Sequence, residues 1–328
     1  MKNDAFRFLT IANSNDFETE ALATFHRQYE ANPVYRSYCD LLNISPSEIK
    51  TSTQIPSLPI QFFKSHAVKC FNKAPSIVFS SSGTTTSINA QHLIHDKSIY
   101  NHSFQKGFEN QYGDPKNWAI LALLPAYLER QGSSLIYMMD ALIQQSNHSA
   151  SGFYLDEFDQ LKKQLEQLES QQQPTLLLGV SFALLDFAEK FPLQLKHTVV
   201  METGGMKGRR KEMIREDLHA TLTKAYGGIE VIHSEYGMTE LLSQAYSKGH
   251  GRFYAPPWMK VAACEINDPF ALINGTKIGR LNIIDLANQE SCAFIATDDL
   301  GRVFPDGSFE IMGRLDQSDI RGCNLLVY

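Results

Sequence analysis

The chain has 328 residues, of which 43% are hydrophobic and 20% are charged, and these proportions are typical of folded globular proteins. They exclude the disordered and fibrous classes, and the length favours one or two domains. Acidic residues number 36 and basic residues 30, so the net charge of -6 gives no general attraction to nucleic acid or anionic lipid.

The cysteines and the amino terminus indicate in which cellular compartment we expect the protein. The five cysteines are an odd number and none of them forms a C-x-x-C pair, which indicates reduced thiols. The first residues lack the basic start and apolar run of a signal peptide. No stretch reaches the ~18 apolar residues that a membrane helix needs. We therefore expect a cytoplasmic protein with no membrane span and no nucleic-acid partner.

Helical sequence comes first in the chain and short apolar runs follow it. The amino-terminal segment predicts solvent-facing helix, and Pro56 and Pro59 mark a connection after it. The apolar runs that follow have the length of buried strands, and amphipathic stretches separate them. Strands are predicted at residues 76–80, 118–124, 175–180, 198–201 and 229–232.

The stretches between these strands have helical periodicity. Apolar residues recur at three- and four-residue spacing from Leu155 to Leu168 and again from Ile214 to Leu222. The second of these helices is predicted to end at Gly227 and Gly228. Buried strands that alternate with helices predict an α/β fold with a largely parallel sheet and helices on both faces.

The pattern changes after about Gly251. Short runs such as LNIID, CAFIA and FEIM lie between Asn, Asp and Gly turns, which predicts a small antiparallel β unit at the end of the chain. We therefore predict two regions. Residues 1–250 form an α/β region, and residues 251–328 form a small β-rich region with a carboxyl-terminal tail.

Four polar segments are candidates for chemistry. SSSGTTTS follows the first predicted strand, and its hydroxyls and backbone N–H groups suit phosphate oxygens, although it lacks the Lys of a Walker loop. EYGMTE follows the strand predicted at 229–232 and combines an aromatic ring, a hydroxyl and a carboxylate. TDDLG and GRLDQSDIRG supply carboxylates and an arginine that suit ribose and phosphate. Each also has a structural interpretation, as a polar surface loop, a helix-opening turn or β-turns respectively.

Histidines near these segments divide into two kinds. His92, His95 and His102 have no Cys or carboxylate grouping that completes a metal site, so we interpret them as surface or capping residues. His233 directly precedes SEYGMTE and is a candidate lining residue for a carboxylate pocket.

The order of the segments is more specific than any one of them. SSSGTTTS, TGGMKGR, HSEYGMTE, TDDLG and GRLDQSDIRG together resemble the adenylate-forming superfamily, which includes acyl-CoA ligases and luciferases. LPIQFFKSH, LLPAYLERQGSSLIYMMD and IRGCNLL look like its acyl-protein synthetase branch, typified by the fatty-acid ligase component of bacterial luminescence. The resemblance runs from about Pro56 to the carboxyl terminus. It implies the layered sheets and helices of the superfamily's amino-terminal domain, ending in a small antiparallel β unit.

The resemblance also implies ATP as substrate and Mg²⁺ as its cation. The residues implied to hold the triphosphate are Ser81, Ser82, Gly83, Thr84 and Thr85. Those implied around the adenine are Gly204, Gly205, Tyr236 as the stacking ring, and Gly237.

The remaining implied roles concern the reacting phosphate, the metal and the ribose. Thr239 contacts the α-phosphate and Glu240 binds Mg²⁺. Asp299, in preference to Asp298, accepts from the ribose hydroxyls, and Arg314 contacts ribose and phosphate.

The carboxyl terminus departs from most of the superfamily. Most members continue past the Gly-Arg segment as a mobile lid with a catalytic Lys, whereas this sequence ends at Tyr328, so we expect the large lid to be absent. The acyl-protein synthetase branch also ends early and uses a cysteine near its terminus as acyl acceptor. Cys323 matches that position, although a small buried apolar residue is its structural interpretation.

The resemblance implies an enzyme, and three hypotheses follow. The first is a ligase and acyltransferase that activates a carboxylic acid, a fatty acid in particular, to an acyl-adenylate. It passes the acyl group to Cys323 and then to a reductase-like or carrier partner protein. The second is an acyl-CoA or aryl-CoA ligase that uses a lid in trans. The third is a catalytically inactive nucleotide-binding assembly module, against which the intact EYGMTE and TDDLG motifs argue.

Overall fold

Contacts divide the chain into two units. The computed structural model describes residues 4–81, 89–125, 132–204, 210, 213–273 and 275–315. Unit 1 comprises Met1–Ser103, Thr239–Ser243 and Tyr254–Tyr328, and unit 2 comprises Phe104–Met238 and Gln244–Phe253. The predicted division at residues 250 and 251 cuts the chain once, whereas these units are built from discontinuous segments.

The first two α-helices begin where side chains satisfy their first N–H groups. The Asn13 side chain accepts from the backbone N–H groups of Asn15 and Asp16, and Asn32 does the same at the next helix, where Pro33 takes the first helical position. The α-helices are α1 (Ser14–Ala31), α2 (Pro33–Leu41), α3 (Phe62–Ser65), α4 (Lys97–Tyr112), α5 (Ser134–Ser146), α6 (Phe158–Ser170), α7 (Ser181–Lys190) and α8 (Arg215–Ala225). Short 3-10 helices lie at Asp4–Thr10, Pro46–Glu48, Ser52–Gln54 and Pro115–Asn117.

The strands of unit 1 form an antiparallel sheet and a separate hairpin. The order β14-β13-β15-β16-β17 is antiparallel, β1 adds to β16 in parallel, and β2 pairs with β3. In β15 every second residue is buried, because one face of the sheet covers the core. The strands are β1 (Leu58–Pro59), β2 (Ile77–Ser80), β3 (Gln91–Ile94), β13 (Met259–Glu265), β14 (Asp268–Leu272), β15 (Gly279–Asp285), β16 (Phe294–Val303) and β17 (Phe309–Arg314).

Unit 2 contains the parallel sheet. Its order is β12-β11-β10-β8-β6-β4-β5, and the pairs β5–β4, β4–β6, β6–β8 and β8–β10 are parallel. Every residue of β4 and β6 is buried, which is why both strands are continuous apolar runs in the sequence. The strands are β4 (Ala119–Leu123), β5 (Gly152–Tyr154), β6 (Thr175–Val180), β7 (Leu193–Gln194), β8 (Thr198–Thr203), β9 (Tyr226–Gly227), β10 (His233–Tyr236), β11 (Ala245–Ser247) and β12 (Arg252–Tyr254).

The predicted α/β class and the closing antiparallel β strands are confirmed, and so are the helices α6 and α8. The strand predicted at residues 229–232 is wrong, because the chain enters the sheet only at His233 and pairs there with Met201. The apolar run 229–232 instead follows Gly228, whose φ of 95° turns the chain before it reaches the sheet. Among the helices in the described ranges, none combines the length and apolar character that crossing a bilayer requires.

Candidate active site

Two consecutive aspartates on β16 have different partners. Asp298 accepts from Gln61 Nε2 at 2.6 and 2.7 Å and from Arg280 Nη2 at 3.1 Å. Asp299 is paired in register with Arg314 of β17, whose Nε lies 3.8 Å from Asp299 Oδ1. The Asp298 carboxylate is therefore hydrogen-bonded to Gln61 and Arg280 of unit 1, whereas Asp299 is the carboxylate next to Arg314.

The TDDLG segment lies within β16, so its interpretation as a β-turn is wrong. A register shift between Leu300 and Gly301 interrupts the ladder just after the two aspartates. A Cβ at Gly301 would clash with the carbonyl oxygen of Glu310 on β17, so the close approach of the two backbones requires glycine there. Asp and Gly occur together both in β-turns and at β-bulges. The composition of this segment therefore does not distinguish a turn from a bulge.

Glu240 is a buried carboxylate with two cations in its field. It is 6% exposed, and burial raises its pKa to about 7. Its own backbone N–H, Arg314 and Lys64 act in the opposite direction and favour the ionised form, and Asp299 raises the pKa further. Unit 1 thus brings Glu240, Asp299 and Arg314 within electrostatic reach of one another, as three of the residues predicted for the site.

The buried carboxylate of Glu240 is the kind of ligand that suits a magnesium ion carried by a nucleotide. Within the described residues, no group of three or more His, Cys, Asp or Glu side chains is placed to hold a metal by itself. Mg²⁺ is usually held by one or two carboxylates together with substrate phosphates and waters, and a desolvated carboxylate such as Glu240 fits that arrangement. Glu240 would hold the ion, which would neutralise phosphate charge there.

In unit 2, β8 and β10 end side by side and their polar groups bond to each other. Thr203 Oγ1 donates to Glu235 Oε2 at 2.5 Å. The carbonyl oxygen of Gly204, a residue with a φ of 66°, accepts from Ser181 Oγ at 2.5 Å. The ends of neighbouring parallel strands are where α/β sheets collect their ligands. This edge holds the predicted adenine residue Gly204.

Tyr236 and Gly237 continue from β10 at the same edge. The half-buried Tyr236 ring packs edge-to-face against Phe253, with ring centroids 5.9 Å apart. A Cβ on Gly237 would lie 2.6 Å from Glu235 Oε1, so the glycine leaves room for that carboxylate. The two residues predicted beside the adenine are therefore positioned by Glu235 and Phe253.

His233 is a neutral side chain in a polar-aromatic pair. Its Nδ1 lies 3.1 Å from the Tyr112 hydroxyl. Burial, followed by the nearby Lys248 and His219, lowers the pKa of His233 to about 4. At neutral pH the imidazole has no positive charge with which to attract a carboxylate, so a role in a carboxylate pocket would depend on shape and hydrogen bonding.

The predicted phosphate loop begins at a hairpin. Ser81 closes the β2–β3 pair, since its N–H donates to the Ala90 carbonyl at 3.1 Å and its Oγ accepts from Ala90 N at 2.9 Å. The strand predicted at residues 76–80, which precedes this loop, lies outside the parallel sheet, because β2 pairs with β3 in antiparallel orientation. The remaining predicted site residues lie outside the described residues: Ser82, Gly83, Thr84, Thr85, Gly205 and Cys323.

Comparison with known families accounts for the whole chain. The model of the family described as acyl-protein synthetase, LuxE, matches residues 2–328. The chain belongs to this family. This LuxE-family chain is therefore a ligase-type enzyme. It is 23% identical over 324 residues to the long-chain-fatty-acid–luciferin-component ligase of Aliivibrio fischeri, and the match covers 92% of this chain and 85% of the relative.

Solved structures with the same fold are adenylate-forming ligases. A 2-hydroxyisobutyryl-CoA ligase in complex with 2-HIB-AMP and CoA matches with a TM-score of 0.65 and 14% identity, over 94% of this chain and 70% of the ligase. ATP-bound MatB from Rhodopseudomonas palustris matches with a TM-score of 0.54 and 17% identity, over 74% of this chain and 49% of MatB. These matches confirm the predicted fold of the LuxE-family chain.

Cysteines in the described part of this LuxE-family chain are poor nucleophiles. Burial raises the pKa of Cys39 and of Cys70 to about 12 and that of Cys264 to about 11. Cys292 is fully buried, and burial raises its thiol pKa well above the ordinary value. Because the thiolate is the reactive form, none of these four thiols is prepared to attack an acyl group at neutral pH.

Two buried residues near the site were missed from the sequence. His92 was interpreted as a surface or capping residue, and this is wrong because the ring is 1% exposed with Nδ1 2.8 Å from the Thr239 carbonyl oxygen. Glu235 received no role, although burial raises its pKa to about 7. No local signal marks His92, since its partner lies far along the chain.

Proposed function

We propose that this chain uses ATP to activate a carboxylic acid and then moves the acyl group through Cys323 to a partner protein. A carboxylate oxygen attacks the α-phosphorus of ATP, and the bond from that phosphorus to the bridging oxygen of the β-phosphate breaks, releasing pyrophosphate. The Cys323 thiolate attacks the acyl carbon of the adenylate, and AMP leaves. A nucleophile on the partner then takes the acyl group and returns the thiol.

The observation that carries the first half-reaction is the grouping of Glu240, Asp299 and Arg314 in unit 1 of a chain that matches its family from end to end. Asp299 suits ribose hydroxyls, because the neighbouring Asp298 is occupied by Gln61 and Arg280. The Arg314 side chain is 68% exposed, which leaves its donors accessible to a phosphate.

Unit 2 supports the same half-reaction through its strand ends. Gly204 and Gly237 leave backbone uncovered by side chains at the ends of β8 and β10, and Tyr236 offers an aromatic face for the adenine. Thr239, in unit 1, would contact the α-phosphate. Mg²⁺ would bind between Glu240 and the phosphates of ATP.

Cys323 is proposed for the second half-reaction on two grounds. Its position in IRGCNLLVY resembles that of the acyl-accepting cysteine of the branch. The other four thiols are held protonated by burial. The name of the Aliivibrio fischeri relative favours a long-chain fatty acid as the substrate and a protein component as the acyl acceptor.

Carboxylate-dependent ATP–pyrophosphate exchange across a panel of fatty, short-chain and aromatic acids tests the proposal. We expect exchange to require Mg²⁺ and to be strongest with fatty acids. Absence of exchange with every acid would overturn the proposal in favour of a nucleotide-binding assembly module. Formation of acyl-CoA on addition of CoA, without any acylated protein, would replace it with CoA ligase activity.

A further inference from the structure

The segment Thr239–Ser243 belongs to unit 1, although the chain on both sides of it, to Met238 and from Gln244, belongs to unit 2. Within this segment Leu241 and Leu242 are 0% and 1% exposed. Apolar burial fixes the depth of such a segment but not the rotation of its peptide groups. The orientation of those groups therefore depends on hydrogen bonds.

Three buried side chains of unit 1 make those hydrogen bonds. The Thr239 carbonyl lies 2.8 Å from His92 Nδ1, and the Glu240 carbonyl accepts from Asn288 Nδ2 at 2.9 Å. Asp285 accepts from the Leu242 N–H at 2.8 Å and from the Ser243 hydroxyl at 2.6 Å. His92, Asn288 and Asp285 are each no more than 1% exposed, so these bonds form without competition from water.

Chemistry settles which nitrogen of His92 carries the proton. A carbonyl oxygen only accepts, so Nδ1 must be the N–H that donates to Thr239. Burial lowers the pKa of His92 to about 4, while the hydrogen bonds to the Thr239 carbonyl and to Asn288 act in the opposite direction. Nε2 lies 3.1 Å from Asn288 Oδ1 and 2.8 Å from the Ser291 hydroxyl oxygen, and the Ser291 hydroxyl donates to Asn288 Oδ1 at 2.5 Å, so His92, Ser291 and Asn288 are in direct contact.

Helix α1 supports the far side of this network. Gln28 Nε2 donates to the Asn288 carbonyl at 2.7 Å, and Gln28 Oε1 accepts from Ala293 N at 2.8 Å. Asn32 Nδ2 donates to the Ser291 carbonyl at 3.0 Å. The loop that carries Asn288 and Ser291 is therefore fixed from behind by two buried amide side chains.

We propose that His92 and Asn288 are positioning residues for the adenylation step. The carbonyls of Thr239 and Glu240 belong to the two peptide planes that flank the Glu240 Cα. Because peptide groups are planar, fixing both carbonyls fixes the direction of the Glu240 Cα–Cβ bond, from which the side chain extends. This inference rests on the proposed function in that Glu240 acts on the nucleotide, and it adds that Glu240 is aimed from behind by groups that never touch substrate.

Substitutions at position 92 separate positioning from packing. The side-chain amide nitrogen of Asn can take the place of His Nδ1, whereas that of Gln takes the place of Nε2. His92→Asn should keep the bond to Thr239 and retain most of the exchange rate. His92→Gln should lose that bond, and kcat for ATP–pyrophosphate exchange should fall about tenfold to a hundredfold with little change in KM for ATP. His95→Gln, three residues away and without a bond to the segment, is the matched control.

The Tm values of the two variants should have the opposite order to their exchange activities. Gln is closer to His in volume than Asn is, so His92→Asn leaves the larger cavity and should have the lower Tm. A role in packing alone predicts that activity follows Tm. An activity loss that is larger in His92→Asn than in His92→Gln would therefore overturn the proposal.

Hydrogen exchange gives a readout that does not depend on turnover. The amides of residues 239–243 should exchange faster in His92→Gln than in wild type and His92→Asn, while the other amides of unit 1 keep their protection. Unchanged exchange in this segment in His92→Gln would overturn the proposal even if activity falls. Wild-type protein without ATP–pyrophosphate exchange would instead refute the proposed function, and amide exchange would still decide whether His92 holds the segment.

Discussion

Glu235 and Glu240 belong to the same motif, EYGMTE, and burial raises the pKa of each to about 7, yet their surroundings differ. Glu235, in unit 2, is bonded to the Thr203 hydroxyl and has the carboxylate of Glu202 in its field. Glu240, in unit 1, has the cations Arg314 and Lys64 in its field. Burial alone therefore does not separate these two acids, whereas the cations beside Glu240 do, and they are the basis on which Glu240 is proposed to act on the nucleotide.

The largest expected effect is at Glu240. Glu240→Gln keeps the shape of the side chain and removes the charge that a hard cation needs, so Mg²⁺-dependent exchange should fall roughly a hundredfold or more. Circular dichroism and Tm should show an intact fold, since a buried carboxylate is replaced by a neutral amide. Wild-type exchange rates in this variant would remove Glu240 from the mechanism.

A smaller loss is expected at Arg314. Arg314→Lys keeps the positive charge but replaces the planar fork with a point charge, so ribose and phosphate are no longer bridged together. Titration with ATP should show a Kd raised about tenfold and exchange slowed by a similar factor. Arg302→Lys is the matched control, because Arg302 is paired with Glu310 on the same two strands. Equal effects of the two substitutions would contradict a specific role for Arg314.

The smallest effect on the rate of ATP–pyrophosphate exchange is expected at Glu235. Glu235→Gln should change exchange less than Glu240→Gln does, because the amide can still accept from Thr203. Its main effect should be on stability against pH. A carboxyl with a native pKa near 7 and an ordinary unfolded value binds more protons when folded, so its contribution is complete below about pH 4.5 and is lost as pH rises through 7.

Thermal unfolding of wild type and Glu235→Gln across pH 4 to 8 measures that contribution. The wild-type free energy of unfolding should decline over this window by up to about 3 kcal/mol more than that of the variant. Parallel curves for the two proteins would show that Glu235 is not titrating in the native state near pH 7.

The same contrast explains which features the sequence predicts. Strands β4 and β6 are buried on both faces and must be apolar throughout, so composition reveals them. Strand β10 contains His233, Ser234 and Glu235, and it can be buried because Thr203 and other distant residues supply hydrogen-bond partners. A polar strand of this kind has no periodicity to detect, so the prediction fell on the apolar run that precedes it.

The residues of the candidate site also divide into those that the sequence predicts and those that it does not. Glu240, Asp299 and Arg314 were predicted because they belong to short motifs in a recognisable order. His92 was misinterpreted because its significance lies in one bond to Thr239, 147 residues along the chain. Motifs identify the groups that are proposed to meet substrate, whereas the residues proposed to position those groups become visible only when the fold brings them together.

Two separable half-reactions are proposed for this chain, and Cys323→Ser tests their separation most directly. Wild type and variant are incubated with ATP, Mg²⁺ and radiolabelled fatty acid, and both exchange and covalent labelling are measured. We predict that the variant retains ATP–pyrophosphate exchange but loses the label, and that neutral hydroxylamine releases the wild-type label, as it does from a thioester. A label that survives in Cys323→Ser and disappears when Cys39, Cys70, Cys264 or Cys292 is replaced would contradict the account.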